Sequence, residues 1–173
     1  MSTSVEKRHS VLGLLYFADT DTITAQLPDI DDTFWENPLT MRKLLSLQNS
    51  IYDPLGWIEP YRLYIKLLMQ TEQSRDLDLD HEVTQSTMAK LYHSMQKWQD
   101  IPPIPRYFLK FSNVRIFSDA CSQAYGCAIY VDNILVTSKS RIVPIKEAHW
   151  STSRHELCGF LNALDWISYK TLT

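Results

Sequence analysis

The chain has 173 residues, 45% of them hydrophobic, and a formal net charge of −3. That length suits one medium domain, or a small domain plus part of another; the apolar content excludes a disordered chain, and the charge excludes an overall basic field while leaving room for a local basic groove. No apolar run approaches bilayer-spanning length, so the sequence reads as soluble, and the irregularly spaced Cys121, Cys127 and Cys158 read as reduced thiols of an intracellular, cytoplasmic and non-secreted protein.

Residues 1–10 are polar and expected to be disordered. Val11 to Phe17 and Thr22 to Leu27 are β-prone runs separated by Asp19-Thr20-Asp21, which predicts a hairpin. Pro28 to Asp32 reads as an acidic loop, with Asp31-Asp32 a solvated turn rather than a metal site. Asn37-Pro38 predicts an N-cap followed by proline at the first helical position. The helix carries Leu44, Leu45, Leu47 and Ile51 and is ended by Pro54 and Gly56. A second helix is expected from near Pro60, packing through Leu63, Ile65, Leu67, Leu68 and Met69. A third follows Asp80 as its cap, with Met88, Leu91, Met95 and Trp98 recurring at steps of three and four.

Ile101-Pro102-Pro103-Ile104-Pro105 cannot be helical, because each proline restricts the residue before it. It is expected to be a stiff linker, 101–112, at a domain boundary. Beyond it, Val114 to Ser118, Tyr125 to Val131 and Ile134 to Ser138 are three β-prone runs, with Asp132-Asn133 a tight turn between the last two. Ser153 to Tyr169 then reads as an amphipathic helix whose apolar face is Leu157, Phe160, Leu161, Leu164 and Ile167. Trp57, Trp98, Trp150 and Trp166 read as packing residues.

The residues before the four glycines are Leu12, Leu55, Tyr125 and Cys158. No Asp-Thr-Gly or Asp-Ser-Gly protease loop is therefore present, and the glycine spacing excludes a phosphate loop and a Gly-x-Ser-x-Gly elbow. His155-Glu156 lacks a second histidine at zincin spacing, and no cysteine pair has zinc-ligand spacing.

The informative stretch is Phe117-Ser118-Asp119-Ala120, running on through Ala124-Tyr125-Gly126-Cys127-Ala128-Ile129-Tyr130. It places an acid at the end of one predicted strand. Ser151-Thr152-Ser153-Arg154-His155-Glu156 places a second in the first turn of the last helix. Two carboxylates on neighbouring elements suit magnesium, a hard ion that prefers oxygen ligands. Each also has a structural reading, which spacing alone favours: Asp119 as the start of a turn, and Glu156 as the partner of Ser153 at capping-box spacing. Lys139, Arg141 and Arg154 are candidate phosphate contacts or ordinary surface cations.

These residues resemble the Pol polyprotein of BEL/Pao-type LTR retrotransposons, in the stretch joining reverse transcriptase to ribonuclease H. The resemblance covers nearly the whole chain. Val11-Leu12-Gly13-Leu14 and Asp19 to Ile23 are similar to the hairpin after the polymerase palm, and Arg42 to Leu47 through Ile51-Tyr52-Asp53-Pro54-Leu55-Gly56 to the family's strongest signature. Trp57 to Pro60, Ile65 to Gln70 and Ile104-Pro105-Arg106-Tyr107 continue it, and Ser138-Lys139-Ser140-Arg141 and Glu156-Leu157-Cys158 are similar to the start of the nuclease. The resemblance implies an α+β or α/β chain. Residues 11–100 would form a β-hairpin and a helical thumb- or connection-like part of reverse transcriptase. Residues 113–173 would form a truncated RNase H-like domain of three antiparallel strands and the first helix.

It also implies that Asp119 and Glu156 are the first two acidic ligands of Mg2+. The partners it implies are an RNA–DNA hybrid and the remainder of the polyprotein, in a virus-like particle. Further ligands would lie beyond Thr173, so this chain alone is expected to be inactive. A non-enzymatic module co-opted to bind nucleic acid or protein is the alternative. Aspartic peptidase chemistry, which one label of this segment suggests, ranks last because its loop is missing.

Overall fold

The computed structural model describes residues 8–11, 13–75, 78–98, 102–106 and 113–171. The chain divides into two compact units, Met1–Asp53 with Tyr64–Tyr107, and Pro54–Leu63 with Phe108–Thr173. The boundary therefore differs from the expected one: a short central segment, Pro54–Leu63, belongs with the C-terminal unit.

In the first unit, β1 (Arg8–Val11), β2 (Leu14–Phe17) and β3 (Thr22–Ala25) form an antiparallel meander. The expected hairpin is β2–β3, closed by Asp21 at φ 49°. β1 adds a strand made partly from residues expected to be disordered. Gly13, at φ 78°, makes the turn before β2, where a side chain would be strained. The fourth strand, β4 (Ile104–Pro105), pairs with β3 through Thr22↔Pro105 and Ile23↔Ile104. This corrects the linker reading at those two residues: proline is barred from helices but tolerated at a sheet edge. Arg106 clamps the pairing with a two-pronged contact to Asp21, Nε to Oδ1 at 2.7 Å. The remaining linker residues 101 and 107–112 lie outside the described residues.

The helices of this unit are α1 (Thr33–Glu36), α2 (Met41–Ser50), most of α3 (Glu59–Gln73) and α4 (Gln85–Met95). Two expected caps are displaced. Asn37 is extended and ends α1, while Thr40 caps α2 by accepting from Lys43 N. Asp80 does not cap α4; it pairs with Arg42 at 2.6 and 2.9 Å, and Thr84 is the cap. Threonine oxygens accept from the orphan amides of the first turn as well as the residues expected there. The core is built from Leu39, Met41, Leu44, Leu47, Ile65, Leu68, Leu91 and Trp98. Met88 remains exposed, contrary to its place in the expected stripe.

In the second unit, β5 (Val114–Ala120), β6 (Ala124–Val131) and β7 (Ile134–Ile142) form an antiparallel sheet in the order β5-β6-β7. Asp132 (φ 50°) and Asn133 (φ 72°) make the tight hairpin turn their sequence predicts. Beyond β7 lies the segment around Gly56. Leu55 O accepts from Ser138 N at 3.0 Å and from Thr137 Oγ1 at 2.8 Å, and Trp57 Nε1 donates to Val136 O at 2.8 Å. A Cβ on Gly56 would stand 1.8 Å from Ser138 O, and its φ is 74°. Only glycine allows this approach, which explains the Leu55-Gly56-Trp57 signature in physical terms.

The last helix, α5 (Thr152–Thr171), packs on β5 and β6. Its buried face is His155, Gly159, Asn162 and Ala163. Leu157, Phe160, Leu161 and Leu164, read from sequence as the apolar face, are 44–55% exposed. Trp166 and Ile167 lie outside the described side chains. The described helices include none long and apolar enough to cross a membrane, and Cys121, Cys127 and Cys158 are all free thiols.

Candidate functional site

Gly159 fixes the site's geometry. A Cβ there would lie 3.3 Å from Asp119 O, 3.6 Å from Gly126 O and 3.8 Å from Tyr125 Cβ, so α5 crosses the sheet at the Asp119↔Gly126 pair. One turn later Asn162 Nδ2 donates to Cys127 Sγ at 3.7 Å. The helix therefore runs inward over the sheet from the end where β5 stops, and Glu156, about one turn before Gly159, stands at that end. Asp119 is the penultimate residue of β5. Both acids are exposed.

The structure removes the capping-box reading of Glu156. The helix begins at Thr152, and Arg154 N donates to Ser151 Oγ at 3.4 Å. Ser153 is already inside the helix, so no capping box occupies Glu156. For Asp119 part of the structural reading stands: Oδ1 accepts from Ala120 N at 2.9 Å.

Strand alternation sorts the other candidates. Cys127 faces α5, so Ser118 and Lys139, its cross-strand neighbours, share that face, as do Tyr125 and Arg141. Asp119, Gly126 and Ser140 point to the opposite face. There Ser140 Oγ donates to Glu59 Oε1 at 2.9 Å. An open concavity of about 420 Å³ is lined in part by Glu59, Pro60, Leu63, Asp119, Gly126 and Ser140. Glu59 is thus a second acid lining the concavity that Asp119 lines, one that sequence reasoning did not single out, because only the fold brings its segment to the sheet. Arg154 is not a free cation: its guanidinium lies 3.6 Å over the Trp150 ring. The Trp150 ring also stacks on the buried His155, with centroids 6.1 Å apart.

The arrangement brings Asp119 and Glu156 to one end of the sheet, on neighbouring elements, with Lys139 and Arg141 on the α5 face. Exposed carboxylates are the donors a hydrated magnesium ion takes, since it keeps several waters and binds through one or two carboxylates. Both residues offer the oxygen donors such an ion takes, but Asp119 turns to the face opposite α5 while Glu156 is carried by α5, so the two meet at the end of the sheet and not on one face. Among the described residues no group of three or more His, Cys, Asp or Glu is positioned to hold a metal.

Residues 40–172 match the family model described as the Pao retrotransposon-like RNaseH-like domain. Among solved structures, the foamy viral protease-reverse transcriptase in complex with dsDNA is similar with a TM-score of 0.58 and 12% identity, over 95% of this chain and 34% of that one. The same viral protein in complex with an RNA/DNA hybrid is similar with a TM-score of 0.56 and 13% identity, over 91% of this chain and 21% of that one. This chain thus spans about a third or less of the structures it matches, and at such identities the likeness shows the fold. The comparison with curated proteins finds no match.

Proposed function

The chain belongs to the Pao retrotransposon-like RNaseH-like domain family, and from that premise we propose that it is a segment of a BEL/Pao-type Pol polyprotein in which Asp119 and Glu156 are the first two carboxylate ligands of a magnesium-dependent nuclease centre. In the intact protein the centre would hydrolyse the RNA strand of RNA–DNA hybrids made by reverse transcription. The observation that supports this reading is the seat of α5: Gly159 rests on the backbone of Asp119, so Glu156 stands at the strand end that bears Asp119, although the Asp119 side chain leaves the strand on the opposite face.

Bound magnesium would stabilise charge on the attacking and leaving oxygens of a phosphodiester. The protein's own part is to present the two carboxylates as oxygen ligands. Lys139, Arg141 and the Trp150-stacked Arg154 are proposed to contact phosphates, which would orient a strand without reading its sequence. Two carboxylates do not complete a two-ion centre, so the isolated chain is expected to be inactive. An assay with Mg2+ and a labelled RNA–DNA hybrid tests this. The expected result is no cleavage above a no-protein control; cleavage abolished by Asp119→Asn would overturn the inactivity while supporting the site.

A non-enzymatic nucleic-acid-binding module is the second reading, favoured by the cations Lys139 and Arg141 on one sheet face. Hybrid binding that weakens steeply with salt and is unchanged by Asp119→Asn would favour it.

A further inference from the structure

α4 carries two stripes, and the core uses one. Thr87 and Leu91 are buried, whereas Met88 is 39% and Tyr92 50% exposed. Met88, Tyr92 and Met95 recur at steps of four and three, so they share one side of the helix over about 10 Å, or two turns. Trp35 of α1 stands against this stripe. Its ring meets Tyr92 edge to face, with centroids 5.2 Å apart, and Phe34 at 5.0 Å. Two hollows adjoin it, one of about 530 Å³ against Met88 and Tyr92, the other of about 310 Å³ against Met95. Trp35 lines both, so they form one groove, and all its lining residues lie in the first unit, between positions 27 and 98.

The wall facing α4 is acidic. Residues 27–36 contain Asp29, Asp31, Asp32 and Glu36 and no lysine or arginine, a charge of −4 where the whole chain carries −3. Asp31 does the capping of α1, accepting from Thr33 Oγ1 and Phe34 N. Asp32, at the N-cap position, makes no side-chain cap bond. Asp29, Asp32 and Glu36 line the groove, and among the described residues no lysine or arginine does. The nearest cations in sequence are engaged elsewhere: Arg42 bonds Asp80 at 2.6 Å, and Lys43 donates to Phe34 O at 3.1 Å.

We propose that this groove docks a basic amphipathic helix of a partner protein. A helix reads such a groove through apolar anchors at steps of three and four. Here the anchors enter the hollows that meet at Trp35, against Met88, Tyr92 and Met95, and the flanking lysines or arginines face Asp29, Asp32 and Glu36. Methionine side chains adapt to varied apolar partners. The edge-to-face contacts of Trp35 hold the groove in shape before binding, which lowers the ordering cost. The same acids repel phosphate groups, so the charge that favours a basic helix disfavours nucleic acid and anionic lipid at this face.

The test titrates the full chain with a synthetic peptide of about four helical turns, bearing leucines at steps of three and four on one face and lysines on its flanks. Calorimetry reads the affinity, and amide shifts of the 15N-labelled chain read the place. The expected result is saturable binding that shifts Trp35, Met88, Tyr92 and Met95, and is at least about tenfold weaker for the same peptide with glutamate in place of lysine. Asp32→Lys with Glu36→Lys should invert that preference, and Met88→Ser should weaken both peptides, with circular dichroism unchanged in each variant. No saturation by the lysine peptide at about millimolar concentration would overturn the proposal, since that is the weak limit of useful affinity. So would binding indifferent to peptide charge, a preference that the double variant does not invert, shifts confined to other residues, or displacement of the peptide from these residues by an RNA–DNA hybrid or anionic vesicles.

Discussion

Glu72 is 1% exposed, yet it is held ionised. Burial pushes its carboxyl upward, but bonds from the Thr87 hydroxyl at 2.5 Å, Arg75 at 2.8 Å, and the Thr84 hydroxyl and amide outweigh it and hold the pKa at about 2, against an ordinary 4.5. This carboxylate ties α3 to the start of α4. Because its folded pKa is depressed, the stabilisation is complete above about pH 4.5 and is lost as the pH falls toward 2. We expect Glu72→Gln to cost about 3 kcal/mol in urea denaturation at pH 7, with the gap to the parent chain shrinking below pH 4.5. A constant gap across that range would show that the ionised group adds nothing. None of this was legible in sequence, where Glu72 is one acid on a helix; its Thr84 and Thr87 partners arrive only when α3 and α4 dock. The same holds for Ser151, whose capping role displaced the one suggested by the Ser153–Glu156 spacing.

Elements whose specification is local were legible. Asp132-Asn133 is a short polar turn that adopts positive φ at both positions, and β5, β6 and β7 each formed where β-prone runs predicted them, extended by a few residues. α5 was placed correctly but its buried face was not. Hydrophobicity singles out Leu157, Phe160, Leu161 and Leu164, whereas close approach to a sheet backbone selects small residues, here Gly159 and Ala163. Replacing Gly159 with Leu should therefore lift α5 from Asp119 and destabilise the unit by about 1–3 kcal/mol, the usual cost of overpacking, seen as a lowered urea midpoint. If that midpoint stays unchanged, the seat of the helix is not where we place it. Gly56→Ala combines a strained φ with a Cβ set on Ser138 O, and should cost more than about 2 kcal/mol. A smaller loss would mean that Leu55–Trp57 moves off β7 at little cost.

On the scale of the whole chain, the family and the RNase H-like fold follow from several short blocks in order, and the match over residues 40–172 agrees with them. The boundary was less legible. Prolines at 102, 103 and 105 suggested a break, but Pro105 pairs with β3, and Pro54–Leu63 groups with the C-terminal sheet through bonds to Val136, Thr137, Ser138 and Ser140. Such long-range backbone pairing leaves no local composition signal. The account of function rests on Asp119 and Glu156 sharing one magnesium ion. Titrating the 15N-labelled chain with Mg2+ and following amide shifts by NMR tests it most directly. We predict that residues around Asp119 and around Glu156 shift together, with one shared affinity that Asp119→Asn abolishes at both. Shifts at one acid alone, or unchanged shifts at Glu156 in Asp119→Asn, would contradict it.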